Sequence, residues 1–551
     1  MSKVIESNKD RIIKLAQDSN FWGKRKRDSK LAVCDTIIAA LELSQQQLES
    51  STLCDWLDQN KPLPKLKAAK VSNKPSAATM TGEETKKLET MSIVPDGMYI
   101  ITAAQNNTCV APVFAQLKDL ASELDAKLIV LPIHYNKNAF SAAVEDEREY
   151  FVGDVKPYLE REDVWLSEMM GVRLAPSANV LPTAKYPMNS AAQLNVGELV
   201  TIIPATKQQM QTLPRLNGQP IKEAWATGCC TVYNYTESRA GSEAETEHVF
   251  GGLLVRSVNG EVDVTNIRQG RDGTLQVYPN TKGEACVTAS CVRSPDVVLG
   301  DLHCEMQDLE AYNHTLAWLY AISPNRVAVH DILHFETRSH HNRKSGKHLF
   351  KMYVNGQNVR KDLERVITQL NEIADSCTEV YIVESNHNSA LDNWLDDSSY
   401  NPKQDPENAK LYYLLNYAIC EAIEAGHDAT ALEVAFRDIV EQSDLPKIAS
   451  NIRFGSMDTP EVWNGVDVSQ HGHKGQNGSM GNPTLFNKWR IDMVTGHTHS
   501  PKIVGDVLTV GVLAKYNQGY NKGGASSWGQ SNCIIHPNGV KQMVRVFPLT
   551  K

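Results

Sequence analysis

The sequence predicts a chain of the α/β (α+β) class, in which a small helical unit and one α/β domain precede a C-terminal layered α/β domain. Three observations carry this. The chain has 551 residues, enough for roughly three or four domains of ordinary size. Its 41% hydrophobic and 22% charged residues, with 33 Gly and 24 Pro, are those of a globular protein and exclude a disordered or collagen-like one. From about residue 96 onward, short apolar β-type runs alternate with segments of helical periodicity.

Residues 1–60 read as a helical unit, because Ile12, Ile13, Leu15 and Ala16, and then Leu31, Ala32, Ile37, Ile38 and Leu41, recur at three- and four-residue intervals around Phe21-Trp22-Gly23. Lys24-Arg25-Lys26-Arg27 near the turn reads first as a solvated basic turn. Residues 61–95 carry Pro62, Pro64 and Pro75 among lysines and small residues without apolar periodicity, the composition of a flexible linker. The next unit, 96–290, opens with strand Met98–Ala103, a helix from about Val113 to Leu124, and strand Lys127–Pro132, a β-α-β outline whose loop lacks GxGxxG. Its role is not stated by the sequence. Residues 291–551 form the last unit, with helical spacing over 408–442 and a hairpin signal at His536-Pro537-Asn538-Gly539.

Global properties exclude several functions. No apolar run is long enough to span a membrane, and Met1-Ser2-Lys3-Val4-Ile5-Glu6-Ser7-Asn8 has no apolar core of a secretory signal, so a cytoplasmic location is expected. The eleven cysteines, an odd number that includes the pair Cys229-Cys230, fit reduced thiols better than a disulfide framework, and Cys286 and Cys291 fit core thiols better than metal ligands. The net charge of -9 confines any nucleic-acid surface to a local patch.

Histidine is the informative residue. Of sixteen, only His134 and His248 precede residue 295. Beyond Pro295, five apolar runs each end in metal-ligand chemistry: Asp296–Gly300 in Asp301-Leu302-His303, Asn325–His330 in Asp331, Glu379–Ser385 in Asn386-His387, Gly465–Gln470 in His471-Gly472-His473, and Ile491–Gly496 in His497-Thr498-His499. A helical segment from about Val359 to Ala374 lies where a parallel crossover needs one. Strands of a layered α/β sheet bring their carboxyl ends to one edge, where ligands bind, so these residues are expected to meet. Carboxylate, amide oxygen and imidazole together suit Mn²⁺, Fe²⁺ or Zn²⁺. Each motif alone is an ordinary surface turn; their ordered repetition points to a metal site.

The order Asp301-x-His303, Asp331, Asn386-His387, His471 and Gly496-His497-x-His499 resembles the calcineurin-like metallophosphoesterase signature over roughly residues 295–515. The resemblance implies a two-sheet sandwich flanked by helices, with Asp301, His303, Asp331 and His499 at one metal and Asp331, Asn386, His471 and His497 at the other. It implies His387 as the group that protonates the leaving oxygen. Two departures stand out: His330 where the family has Gly before the bridging Asp, which crowds the site, and Asn388 where it has an acid after the catalytic His, for which Asp392 is a candidate substitute.

Two divalent ions, Mn²⁺ first and Zn²⁺, Fe²⁺ or Mg²⁺ as alternatives, would cancel phosphate charge and activate water. Asp331-Ile332-Leu333-His334 is similar to the double-strand-break-repair nucleases of the superfamily, which also carry a His three residues on. Together with Arg338, His341, Arg343 and Lys344 in the following basic loop, His334 is expected to contact DNA. The whole chain resembles the pre-early host-DNA-degrading proteins of virulent tailed phages, which implies a nuclease of the host bacterial cytoplasm. Restraint or selectivity is expected from the middle unit, the helical hairpin or oligomer contacts, and the expected partners are a second copy of the chain and a host or phage protein. The alternatives are a phosphatase or phosphodiesterase for nucleotides or phosphoproteins, and a non-catalytic scaffold that keeps the fold and binds host factors.

Overall fold

A computed structural model of the chain describes scattered positions between Ile12 and Leu57, and then residues 94, 96–135, 151–166, 171–178, 180–278, 294–338, 345–427, 430–519, 521 and 523–549. The chain divides into two compact units, Met1–Thr79 and Met80–Lys551. In the first, Ile12, Ala16, Cys34, Ile37, Leu53 and Leu57 belong to one buried apolar cluster, and the positions at 12, 16 and 34–39 are helical, as their spacing predicts. The expected linker, apart from Val94, the basic turn Lys24–Arg27, and Cys286 and Cys291 lie outside the described residues.

The second unit is built on three sheets. The first is ordered Lys127–Ile133, Gly97–Gln105, Gly251–Val258, Glu261–Arg268. Its first two strands are parallel and joined by helix Val113–Glu123, which is the expected β-α-β unit. A six-stranded sheet runs Ile452–Phe454, Glu379–Ile382, Arg326–Val329, Asp296–Val298, Ser531–Ile535, Lys541–Arg545. Its first four strands are parallel and its last two form the antiparallel hairpin. Helix Val359–Ala374 makes the expected crossover: Asn358 caps it by accepting the Lys361 N–H, and Leu363, Val366, Ile367, Leu370 and Ile373 form its buried stripe.

The ten-stranded third sheet corrects the domain reading. Its order is Val462–Trp463, Val466–Asp467, Met493–Thr495, Val507–Thr509, Lys502–Val504, Ala205–Leu213, Lys222–Gly228, Val200–Ile203, Val172–Leu174, Val164–Trp165. Lys502–Val504 pairs antiparallel with Ala205–Leu213, so one sheet runs straight across the expected boundary between 290 and 291, and residues 96–290 and 291–551 are not separate compact units. The physical reason is that an apolar run announces a strand but not the partner that satisfies its backbone groups.

The sheets share a core in which Ile101 and Val255 of the first meet Val298, Ala328 and Tyr381 of the second and Trp225, Val494 and Leu508 of the third. The other face of the six-stranded sheet packs Val327 and Val329 against Leu363, Ile367, Trp394 and Phe436 from its helices. Arg545 ties all three sheets together: its Nε lies 2.9 Å from Glu223 of the ten-stranded sheet and its Nη1 lies 3.1 Å from Asp263 of the four-stranded one. Because Asp296–Val298, Arg326–Val329 and Glu379–Ile382 are parallel, their carboxyl ends open at one edge.

Candidate metal centre

Backbone hydrogen bonds lace the loops that leave those strands. Leu302 N–H donates to the His330 carbonyl at 3.0 Å and His303 N–H to that of Asp331 at 2.8 Å, so the first two loops are held in register past the end of the sheet. Asp301 N–H donates to the Gly511 carbonyl at 3.0 Å, and Gly496 N–H to that of His471 at 2.8 Å. The His497 N–H donates to Asp301 Oδ2 at 2.8 Å, joining a loop of the ten-stranded sheet to one of the six-stranded sheet. The turn carrying Asn386 and His387 is pinned by Asn388, whose N–H donates to Ser385 Oγ and whose Nδ2 donates to the Val383 carbonyl at 3.1 Å.

Four candidate ligands sit on left-handed backbone: φ is 41° at His303, 40° at Asp331, 71° at His497 and 56° at His499. Few non-glycine residues adopt this region, and each instance costs on the order of 1–3 kcal/mol. Strain of this kind, gathered in three loops that meet, persists because the cross-loop bonds over-determine the backbone.

The side chains converge. Ligand atoms of Asp301, His303, Asp331 and His499 all lie within 4.8 Å of one another, as do those of Asp301, His330 and His471, and those of His303, His334 and His387. Asp301 Oδ2 is 3.1 Å from His499 Nε2, Asp331 Oδ2 is 3.2 Å from His471 Nε2, and the Nε2 atoms of His303 and His499 are 3.0 Å apart. The ring of half-buried His387 is 4.6 Å from that of His303 and 5.5 Å from that of His334. Among the described residues, His497 enters none of the three groups; its ring lies 5.2 Å from His471 and 6.0 Å from His473.

These residues fit divalent cations. Asp301 Oδ1, Asp331 Oδ1, Asn386 Oδ1 and His499 Nδ1 are buried without a hydrogen-bond partner. Burying a carboxylate with neither partner nor ion is costly, and a cation among these atoms supplies what protein donors do not. Protonation states agree at Asp331, His303 and His330. Burial alone would raise the Asp331 carboxyl, but the imidazoles of His471, His387 and His303 hold it well below the usual carboxylate range. Burial, reinforced by His387, drives His303 well below its ordinary value, while burial and His471 push His330 down to about 4. His471 goes the other way: burial opposes its charge, but Asp331 raises it. Ionised carboxylate and neutral imidazole are the ligating forms.

Several expected contacts are placed differently. Arg338 is committed to Asp405, with Nη2 2.6 Å from Oδ2 and only 12% of its side chain exposed, so the expectation that it grips DNA phosphates is not met by a free guanidinium. Asp392 does not stand in for the missing acid beside His387: its Oδ1 accepts the Ala431 N–H at 2.7 Å, at the start of helix Ala431–Arg437. His334 does join the site, and its loop is fixed by Glu305, which accepts the N–H groups of His334 and Phe335, each at 2.8 Å. His341, Arg343 and Lys344 lie outside the described residues.

Sequence reasoning also missed a contributor. His330 read only as steric crowding, because alternation along a strand sends neighbours to opposite faces. The strand ends at Val329 and Asp331 turns left-handed, so the alternation fails there and both side chains face the site. Trp528 ends the Gly523–Trp528 stretch that the sequence suggests as a loop near the site mouth, and its ring lies 4.3 Å from that of His499.

No family model matches the chain. Protein A1 of Escherichia phage T5 is 35% identical over 567 residues, spanning 98% of this chain and 98% of its own. The chain belongs to the Protein A1 family. The similarity extends over nearly the full length of this A1-family chain, and so over the segments that form its helical unit, its ten-stranded sheet and its histidine-rich loops. Among the described residues of this A1-family member, no helix is long and apolar enough to cross a membrane.

Proposed function

We propose that the protein is a metal-dependent phosphodiesterase that hydrolyses DNA, with the two-sheet core and ligand loops of a calcineurin-like metallophosphoesterase. The observation that carries the reading is that carboxylate and imidazole atoms from four strand ends lie within 4.8 Å of one another in overlapping groups, beside buried atoms, Asn386 Oδ1 among them, that lack hydrogen-bond partners. Divalent cations bound there supply charge neutralisation for a phosphodiester and an activated water. Asp301, His303, Asp331 and His499 would hold one ion. Asn386 offers a further oxygen, and His471 a further nitrogen. His387 stands at the half-buried margin, where it can reach a phosphate and donate a proton to the departing oxygen.

The substrate assignment rests on Asp331-x-x-His334, similar to DNA-repair nucleases, and on membership of a phage protein family. Action in the host bacterial cytoplasm on host DNA, with Mn²⁺ as the ion, follows the same reading. The test is digestion of linear and closed-circular DNA by the Mn²⁺-reconstituted full chain, with His387→Ala as control and p-nitrophenyl phosphoesters and cyclic nucleotides in parallel. DNA cleavage lost in His387→Ala is the expected result. Turnover of small esters alone would reject the nuclease, and full biological effect in both Asp301→Ala and His387→Ala would leave a non-catalytic scaffold.

A further inference from the structure

We propose that the second cation of the centre is held by Asp301, His330 and His471, with His330 supplying the nitrogen that resemblance to metallophosphoesterases assigns to His497. The inference rests on the metal-centre reading above and concerns which residues build it.

Three observations support the assignment. First, Asp301, His330 and His471 each place a ligand atom within 4.8 Å of the others, whereas His497 joins no such group among the described residues. Second, all three side chains are fully buried; Asp301 Oδ1 and His330 Nε2 have no hydrogen-bond partner, and His471 Nε2 lies 3.2 Å from Asp331 Oδ2 of the neighbouring ligand group. The Nδ1 atoms of His330 and His471 stand 3.4 Å apart, too long for a strong hydrogen bond between imidazoles. Third, Asp301 divides its oxygens. Oδ2 is taken by the His497 N–H at 2.8 Å and by His499 Nε2 at 3.1 Å, while Oδ1 faces the space above Gly496 that His330 also borders. One carboxylate can therefore serve both ions, one through each oxygen.

His497 has other duties in this arrangement. Its backbone positions Asp301, and its half-buried ring lies beside those of His471 and His473 on the outer side of the centre. Two imidazoles and a carboxylate suit Mn²⁺, Fe²⁺ or Zn²⁺ better than Mg²⁺. His330 thus explains itself: a bulky imidazole tolerated in a fully buried position next to Asp331 because it binds an ion.

The test is metal stoichiometry and affinity of the full chain, measured by Mn²⁺ titration calorimetry and elemental analysis. Co²⁺ visible absorption reports nitrogen ligation independently of activity. Wild type is expected to bind two ions. His330→Ala, and His330→Phe, which keeps the ring volume should the smaller side chain fail to fold, are expected to bind one, with the second site weakened beyond the roughly 10- to 100-fold typical of residues that only support a ligand. His497→Ala is expected to keep two. Two ions with unchanged affinity in folded His330→Phe, or a single ion in wild type, would overturn the assignment. DNA cleavage is scored separately. Two ions lost to one on changing His330, in a protein that cuts no DNA, would sink the nuclease and leave this site standing. A His330→Phe nuclease with two ions would do the reverse.

Discussion

Replacing Gly496 by Ala probes the centre at its tightest point. A Cβ on Gly496 would lie 2.2 Å from Asp301 Oδ1 and 3.2 Å from His330 Cγ, where Cβ contacts below 3.0 Å essentially never occur. Asp301 cannot step aside freely, since its other oxygen is held by the His497 N–H at 2.8 Å and by His499 at 3.1 Å. Relieving the overlap needs a shift of about 0.8 Å in a close-packed region, and overpacking of this size costs about 1–3 kcal/mol. If the displaced carboxylate is a metal ligand, that cost falls on the bound geometry, and at 1.4 kcal/mol per tenfold Mn²⁺ affinity drops roughly 5- to 150-fold. Calorimetric Mn²⁺ titration of Gly496→Ala, with circular dichroism and urea melts of the metal-free protein as fold controls, measures this. A folded Gly496→Ala that binds Mn²⁺ as tightly as wild type would refute the placement of Asp301 Oδ1 in the coordination space.

Two further expectations concern the scaffold. Arg545→Met leaves Glu223 buried at 2% side-chain exposure without its partner, so urea unfolding should show a loss of about 3–5 kcal/mol, largely restored in Arg545→Met/Glu223→Gln; an unchanged midpoint in the single variant would contradict the three-sheet tie. His536, buried and held neutral, has its imidazole pushed down to about 4 from 6.5 by burial, while Gln542 Oε1 accepts from its Nε2 at 2.9 Å. A depressed histidine contributes stability that is complete above pH 6.5 and is lost as pH falls through 4, a loss on the order of 3 kcal/mol. His536→Gln should therefore flatten the acid limb of a stability profile, and an unaltered limb would assign acid lability elsewhere.

The loops were legible before the fold was. Each candidate ligand from Asp301 to His499 ends an apolar run, and parallel strands bring such ends together by geometry alone. Helix Val359–Ala374 was equally plain, since a helical segment falls where a parallel crossover between the second and third apolar runs needs one. What stayed hidden depends on distant pairing or on backbone that leaves the regular period. The ladder between Ala205–Leu213 and Lys502–Val504 has no local mark, and so the domain boundary was misplaced. His330 was hidden by the left-handed turn at Asp331, and the commitment of Arg338 by the distance in sequence to Asp405.

That same ladder sets a timetable for synthesis. A ribosome adding about 5–20 residues per second spends tens of seconds between releasing Ala205–Leu213 and releasing the segment that pairs with it. During that interval one edge of the growing sheet has no neighbour, which favours association with other nascent chains. His497, His499 and Gly511 emerge in the same late stretch. The candidate centre can therefore close only after this stretch has been made, and a product truncated before it would carry much of the scaffold without His497 and His499.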